Sequence, residues 1–298
     1  MIYPTIRQLR YLVVLTETRH FGRAADRCAV TQPTLSSGIK ELEAMLGVQL
    51  FERTKRQVIP TLIGLDLSQR AQLVLRSIED MVDVARSTGE PLSGPLRMGA
   101  IPTIGPFFLP RVLPLLRRQF KSVQPYLRED QTERLLAQLA AGELDVLILA
   151  LPYDLPGTKS YILGDDKFYL AVPRTHPLAL RKRIRADEVP SGELLLLEEG
   201  HCLREHALAA CHIEDSHGSD VVKGTSLYTL VQMVASGLGV TLVPEMALKS
   251  DILKGADVVT IPLVGDAPPR QIALVWRKTS GRDAEFCQLG DLISGLWN

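Results

Sequence analysis

Two cysteines, Cys202 and Cys211, stand nine residues apart in Glu199-Gly-His-Cys-Leu-Arg-Glu-His-Ala-Leu-Ala-Ala-Cys-His212. Leu203, Ala207, Leu208 and Ala210 predict a helix across this stretch, and a rise of about 1.5 Å per residue then sets the two Cα atoms roughly 13 Å apart. A disulfide needs them within about 7 Å. Either the thiols never meet, or they meet only when the segment unwinds, which would make it a redox switch. The thiolate is the reactive form of cysteine. Cys202 has what a thiolate needs nearby: a helix N-terminus just after Gly200, His201 beside it and Arg204 two residues on. Four of the six histidines, His201, His206, His212 and His217, crowd the same stretch. Cys202 and His206 share a helix face, so a soft divalent metal held with Cys211 or His212 is a second chemistry. Against it, one helix cannot aim residues nine apart at one ion without breaking. Ordinary buried thiols are the third reading. Cys28 and Cys287 fall on apolar helix faces and read as core.

The elements that must position these residues come from a chain of 298 residues, 46% hydrophobic, with 34 basic and 34 acidic side chains. That is enough for two or three domains with a core in each. Residues 1–60 hold nine Lys/Arg against five Asp/Glu, a mildly basic front end that fits nucleic acid. No charged segment followed by an apolar run opens the chain, and no apolar stretch approaches the roughly 20 residues of a membrane span. A soluble, cytoplasmic protein with no membrane partner is expected. Four cysteines do not make a structural disulfide framework.

Residues 1–60 read as a winged helix-turn-helix. Leu9, Leu12, Val13 and Thr16 form one helical stripe, and Phe21, Ala24, Ala25 and Cys28 a second. Leu35, Ile39, Leu42 and Leu46 form a third, with Thr31 as N-cap, Pro33 in the first turn and Gly47 at the end. Val48–Phe51 and Gln57–Pro60 predict short strands around a basic tip. Over 61–88, Leu67, Ala71, Val74, Ile78, Met81 and Ala85 recur in a heptad seam. Such a stripe can pack on its own domain, but after a DNA-binding unit it predicts dimerisation. Residues 89–95 are a hinge by composition. Beyond it, alternating strands and helices over 96–298 predict an α/β sensor domain with largely parallel sheets. Its two lobes, about 96–165 with 270–298 and about 166–269, would close on a cleft, like a periplasmic binding protein.

The third helix reads as the recognition helix. Its first turns offer Gln32, Pro33, Thr34, Ser36 and Ser37 and then Lys40 to base edges. Arg53, Lys55 and Arg56 of the wing suit phosphate or the minor groove. The bland alternative is a polar solvent face.

The run Phe21-Gly-Arg-Ala-Ala-Asp-Arg-Cys-Ala-Val-Thr-Gln-Pro-Thr-Leu-Ser-Ser-Gly-Ile-Lys-Glu-Leu-Glu-Ala-Met-Leu-Gly-Val-Gln-Leu-Phe-Glu-Arg53 resembles the DNA-binding signature of LysR-type transcriptional regulators. Ser93-Gly-Pro-Leu, Ile101-Pro-Thr-Ile-Gly-Pro106, Gly200-His-Cys-Leu-Arg204, Gly224-Thr-Ser-Leu and Gly239-Val-Thr-Leu-Val-Pro244 are similar to its peroxide-sensing branch. The resemblance covers nearly the whole chain, but most of 212–223 departs from it. It implies a dimer of dimers on promoter DNA that activates antioxidant genes through RNA polymerase, with hydrogen peroxide as signal. It implies Cys202 as the peroxide-reactive thiol and Cys211 as the resolving thiol, passing through a sulfenic acid to a disulfide. Thr103, Thr132, His201 and Arg270 match the peroxide pocket. The threonine hydroxyls would orient peroxide, and Arg270 would lower the thiol pKa from across the cleft. Thioredoxin or glutaredoxin would be the reductant, and no metal or cofactor is implied.

Three other functions compete. A LysR-type regulator sensing a metabolite would line its cleft with Ile101-Pro-Thr103 and Gly237-Leu-Gly239. A cysteine peroxidase would leave the wing and heptad helix unexplained, and no second catalytic constellation supports turnover. A secreted solute-binding protein would fit two lobes but needs a signal peptide. The reading is therefore a non-enzymatic regulator.

Overall fold

A computed structural model of the chain describes residues 3–53, 58–86, 91–213 and 223–297. It separates into two compact units, Met1–Glu90 and Pro91–Asn298.

The first unit runs α1 (Ile6–Thr18), α2 (Phe21–Arg27), α3 (Gln32–Leu46), β1 (Phe51–Arg53), β2 (Val58–Pro60) and α4 (Leu62–Arg86). Thr5 and Gln8 form a capping box at α1. The Thr31 hydroxyl accepts the Thr34 N–H at the start of α3, satisfying a donor the helix itself cannot. Leu12, Leu15, Leu35, Ile39, Leu42 and Phe51 close the core. Gly38 lets α3 lie against α1, because a Cβ there would sit 2.8 Å from the Tyr11 ring.

Two sequence expectations shift here. The first wing strand begins at Phe51 rather than Val48, because the Glu43 carboxylate accepts the Leu50 and Phe51 N–H groups at 2.9 and 3.2 Å. Both donors turn toward α3, so pairing with β2 starts only at Phe51. The heptad seam also divides. Ala71 is buried in the unit's own core, with Leu67 and Leu75 packed on it, because the first turns of α4 cover α1. Leu67 and Ala71 are thus spent at home. Ile78 is half-buried, while Val74 is 48% and Met81 64% exposed. The side chains of Arg53 and Ala85, and all of Lys55 and Arg56, lie outside the described residues.

The second unit starts with β3 (Gly94–Ala100), α5 (Gly105–Gln119), β4 (Val123–Glu129), α6 (Thr132–Ala140), β5 (Val146–Leu151) and β6 (Thr158–Asp166). It continues through β7 (Phe168–Pro173), β8 (Ile184–Arg185), β9 (Leu196–Leu197), α7 (Cys202–Ala210), β10 (Lys223–Gly224), α8 (Leu227–Ala235), β11 (Thr241–Pro244), α9 (Glu245–Leu248) and β12 (Val258–Val264). It ends with β13 (Arg270–Arg277) and α10 (Asp283–Ser294). One lobe is the five-stranded sheet β4-β3-β5-β13-β6, and the other pairs a four-stranded sheet β11-β7-β12-β8 with the ribbon β10-β9. The chain crosses between lobes at Lys167 and returns between β12 and β13.

The sheets are mixed rather than largely parallel. β3 pairs in parallel with β4 and β5 through helical crossovers, but β13 runs antiparallel to both β5 and β6. A strand returning from the far lobe enters the first sheet from the opposite end. In the second lobe, β7 lies antiparallel to β11 and β12. No helix among the described residues is long and apolar enough to cross a membrane.

Candidate functional site

Cys202 is the first residue of α7, with His201 as N-cap. Gly200 makes that entry possible: its φ is +88°, and an added Cβ would lie 2.9 Å from the Gln131 side chain. Gln131, from the other lobe, donates through Nε2 to the Glu199 carbonyl at 3.4 Å. The entry to α7 is therefore fastened across the cleft. Ile101, Pro102, Thr103, Gln131, Thr132, Gly200, His201 and Cys202 line a pocket of about 170 Å³, counting the solvent at its mouth.

Opposite the thiol, β13 delivers Arg270 and the turn after β3 delivers Thr103. Arg270 is fully buried, and so is Asp166. The guanidinium donates to Asp166 Oδ2 through Nε at 2.9 Å, and Nη2 lies 2.8 Å from the same oxygen. It donates to Thr103 Oγ1 through Nη1 at 2.9 Å and to the Thr103 carbonyl through Nη2 at 3.0 Å. Met246 N–H fills Asp166 Oδ1 at 2.9 Å. A guanidinium so pinned is a fixed charge.

The Thr132 hydroxyl meets the Cys202 thiol in a contact that favours its charged form, and it is otherwise without a partner among the described residues. Burial still raises the Cys202 pKa above its ordinary value, against the lowering by Arg270 and Thr132. The thiol thus waits protonated at neutral pH.

His201 lines the pocket and Arg204 stands two residues beyond the thiol, but neither supplies the charge that acts on Cys202. Burial lowers the His201 pKa against a small opposing push from Glu198, so the ring stays neutral and adds no charge beside Cys202. Arg204 reaches the Leu197 carbonyl through Nη1 at 3.4 Å. The cation that acts on the thiol is Arg270.

Cys211 caps the far end of α7 and is buried; burial pushes its thiol up to about 11. Both thiols are free, and an intact helix between them sets their Cα atoms roughly 13 Å apart. Cys28 and Cys287 are half-buried at the margins of their cores.

The metal reading finds no assembled site. Among the described residues no three His, Cys, Asp or Glu side chains gather to hold an ion. His206 Nε2 lies 3.1 Å from the Pro152 carbonyl, His212 is exposed, and His217 lies outside the described residues. Sequence reasoning missed Asp166 and Gln131, which hold Arg270 and the Cys202 loop. Neither sits in a motif; only the fold brings them there.

On α3, Gln32, Pro33, Thr34, Ser37 and Lys40 are exposed and Ser36 is half-buried. The Thr34 hydroxyl shares a 2.8 Å hydrogen bond with Thr31, and Ser37 Oγ donates to Glu41 at 3.0 Å.

A helix-turn-helix unit followed by a two-lobed α/β sensor defines a one-component transcription regulator. Residues 6–65 match the bacterial regulatory helix-turn-helix protein, lysR family, and residues 89–295 match the LysR substrate binding domain. The chain belongs to the LysR family of DNA-binding regulators. It is 43% identical over 288 residues, 97% of this chain and 94% of the relative, to the hydrogen peroxide-inducible genes activator of Dickeya chrysanthemi. It is 41% identical over 293 residues, 98% of this chain and 97% of the relative, to the HTH-type transcriptional regulator EstR of Acinetobacter baylyi. A full-length OxyR variant from Pseudomonas aeruginosa superposes with a TM-score of 0.80 at 38% identity, covering 98% of both chains.

Proposed function

We propose that this regulator responds to hydrogen peroxide through Cys202 and Cys211 and controls antioxidant genes. Identity alone does not separate a peroxide activator at 43% from another regulator at 41%. The observation that carries the reading is the pocket. It is a narrow crevice at the first turn of α7, between Thr103 and Thr132 on one side and Cys202 on the other. Its polar side chains are Thr103, Gln131, Thr132, His201 and Cys202, with the fixed guanidinium of Arg270 behind Thr103. That set fits a two-oxygen molecule better than a metabolite.

The chemistry follows. Cys202, deprotonated, attacks one peroxide oxygen; the S–O bond forms, the O–O bond breaks, and the departing hydroxide takes a proton and leaves as water. Cys211 then displaces hydroxide from the sulfenic acid, which also leaves as water, to form the disulfide. The second step requires α7 to unwind, so residues 200–223 are the two-state element. Residues 1–60 would bind promoter DNA through Gln32, Pro33, Thr34, Ser36, Ser37 and Lys40, with Arg53, Lys55 and Arg56 on phosphate. Residues 61–88 would join two copies through Val74, Ile78, Met81 and Ala85, and 89–95 would act as hinge. Two such dimers would contact RNA polymerase, and thioredoxin or glutaredoxin would reset the thiols.

Replacing Cys202 with Ser should abolish the peroxide response of a promoter reporter while leaving the DNA footprint intact. A full response in that variant sinks the mechanism and leaves metabolite sensing.

A further inference from the structure

His206 is a buried histidine that the peroxide chemistry does not use. It lies one turn after Cys202 on the same face of α7, and a helical side chain leans over the turn before its own Cα. The residue is 7% exposed. Nε2 lies 3.1 Å from the Pro152 carbonyl, which follows β5 in the opposite lobe. A carbonyl only accepts, so Nε2 carries the proton and donates. Nδ1 is then a bare acceptor, and it is buried without a partner among the described residues.

We infer that His206 is a positioning residue for Cys202, latching the first turns of α7 to the opposite lobe and coupling their release to proton uptake. This rests on the proposed unwinding of α7. The latch spans the cleft, so α7 cannot uncoil without breaking it. Breaking it moves the ring from a dry interlobe contact to water, where both nitrogens are solvated.

The charges around this turn set the direction. Arg270 of β13, held by Asp166 of β6, acts on the imidazole. Cys202 and Glu205 share α7, and with Glu133 of α6 they surround Tyr153, which follows β5. Burial and Arg270 lower the His206 pKa in the packed state, against the Pro152 contact that raises it. In water the ring returns to about 6.5. Below that pH the unwound form binds the extra proton and the packed form does not, so acid favours release. Above it both forms are neutral and the coupling vanishes.

The same proton enters the redox balance. Reduction of the disulfide takes two electrons and two protons to give two thiols. Where the oxidised form carries protonated His206, reduction frees that proton and the net uptake is one. A dithiol releases two protons on its own oxidation, so the exchange constant against it, otherwise independent of pH, then changes tenfold per pH unit; the protein's own potential moves by about 30 mV per unit instead of about 59 mV.

The test compares the full-length protein with His206→Gln, which keeps an N–H donor for Pro152 but does not titrate. The first readout is amide hydrogen exchange over 202–210 in the reduced proteins. Relative to the variant, wild-type opening should rise roughly fivefold from pH 6.5 to 5.5; a constant ratio overturns the coupling. His206→Leu, which removes the donor, should open α7 more than His206→Gln across that range, and equal opening overturns the latch. The second readout is redox titration against dithiothreitol. Below about pH 6.5 the exchange constant should change tenfold per unit in wild type and stay constant in His206→Gln; equal pH dependence contradicts the coupling. If the exchange result holds but no Cys202–Cys211 bond forms, the latch stands and the peroxide reading falls.

Discussion

Arg270→Met removes a fixed cation that acts on Cys202, and the size of its effect follows from the contacts. The guanidinium makes four contacts of 2.8–3.0 Å, to Asp166 and Thr103, at complete burial. Losing it strands a buried carboxylate with only the Met246 N–H on it. Breaking one side of such a pair costs about 3–5 kcal/mol. For a unit of roughly 200 residues, at about 2–4 °C per kcal/mol, the regulatory unit should melt roughly 6–20 °C lower. Arg270→Met with Asp166→Asn discharges the stranded group while leaving an oxygen for Met246, so it should recover most of that loss. Thermal unfolding of the full chain reads the stability. Peroxide oxidation of Cys202 should slow in both variants, because Arg270 is the largest influence lowering that thiol's pKa. A loss below about 1 kcal/mol, no recovery in the double variant, or normal oxidation in it would refute the assignment of a fixed, thiol-facing charge.

Other consequences are equally direct. Because burial raises the Cys202 pKa, the reactive thiolate is scarce at neutral pH; the oxidation rate by peroxide should rise about tenfold per unit from pH 6 to 8. A flat profile in stopped-flow measurements contradicts it. Gly38→Ala places a methyl group 2.8 Å from the Tyr11 ring; overpacking at the α1–α3 contact should cost the first unit about 1–3 kcal/mol in urea titration, and unchanged stability argues against that contact. Met81→Glu, at an exposed position of the α4 seam, should raise the dimer dissociation constant at least tenfold by analytical ultracentrifugation. No change would remove this stretch from the interface.

What the sequence made legible followed from periodicity and intact motifs. Leu35, Ile39 and Leu42 marked α3 and its buried face, and Leu227–Ala235 was readable as a helix to the residue. Cys202 and Thr103 were nameable through the motifs of the family resemblance, whereas Arg270 rested on weaker local identity; Arg270 bonds Thr103 and acts on the Cys202 thiol. Less legible were features that depend on partners distant in the chain. β6 is a polar run, Thr-Lys-Ser-Tyr-Ile-Leu-Gly-Asp-Asp, that becomes a strand only because β13 pairs along it. Asp166 ends that strand and shows its role only when Arg270 arrives from more than a hundred residues away. The proximity of His201 and Arg204 to Cys202 looked like charge support, but burial keeps the first neutral and a carbonyl holds the second. The heptad seam could not reveal which of its residues α1 would claim.

The most direct measurement is non-reducing peptide mapping of the reduced full-length protein after brief exposure to near-stoichiometric hydrogen peroxide. The account predicts a dominant Cys202–Cys211 crosslink with Cys28 and Cys287 still free. Thiols that stay reduced, or that oxidise only in large excess of peroxide, would contradict it.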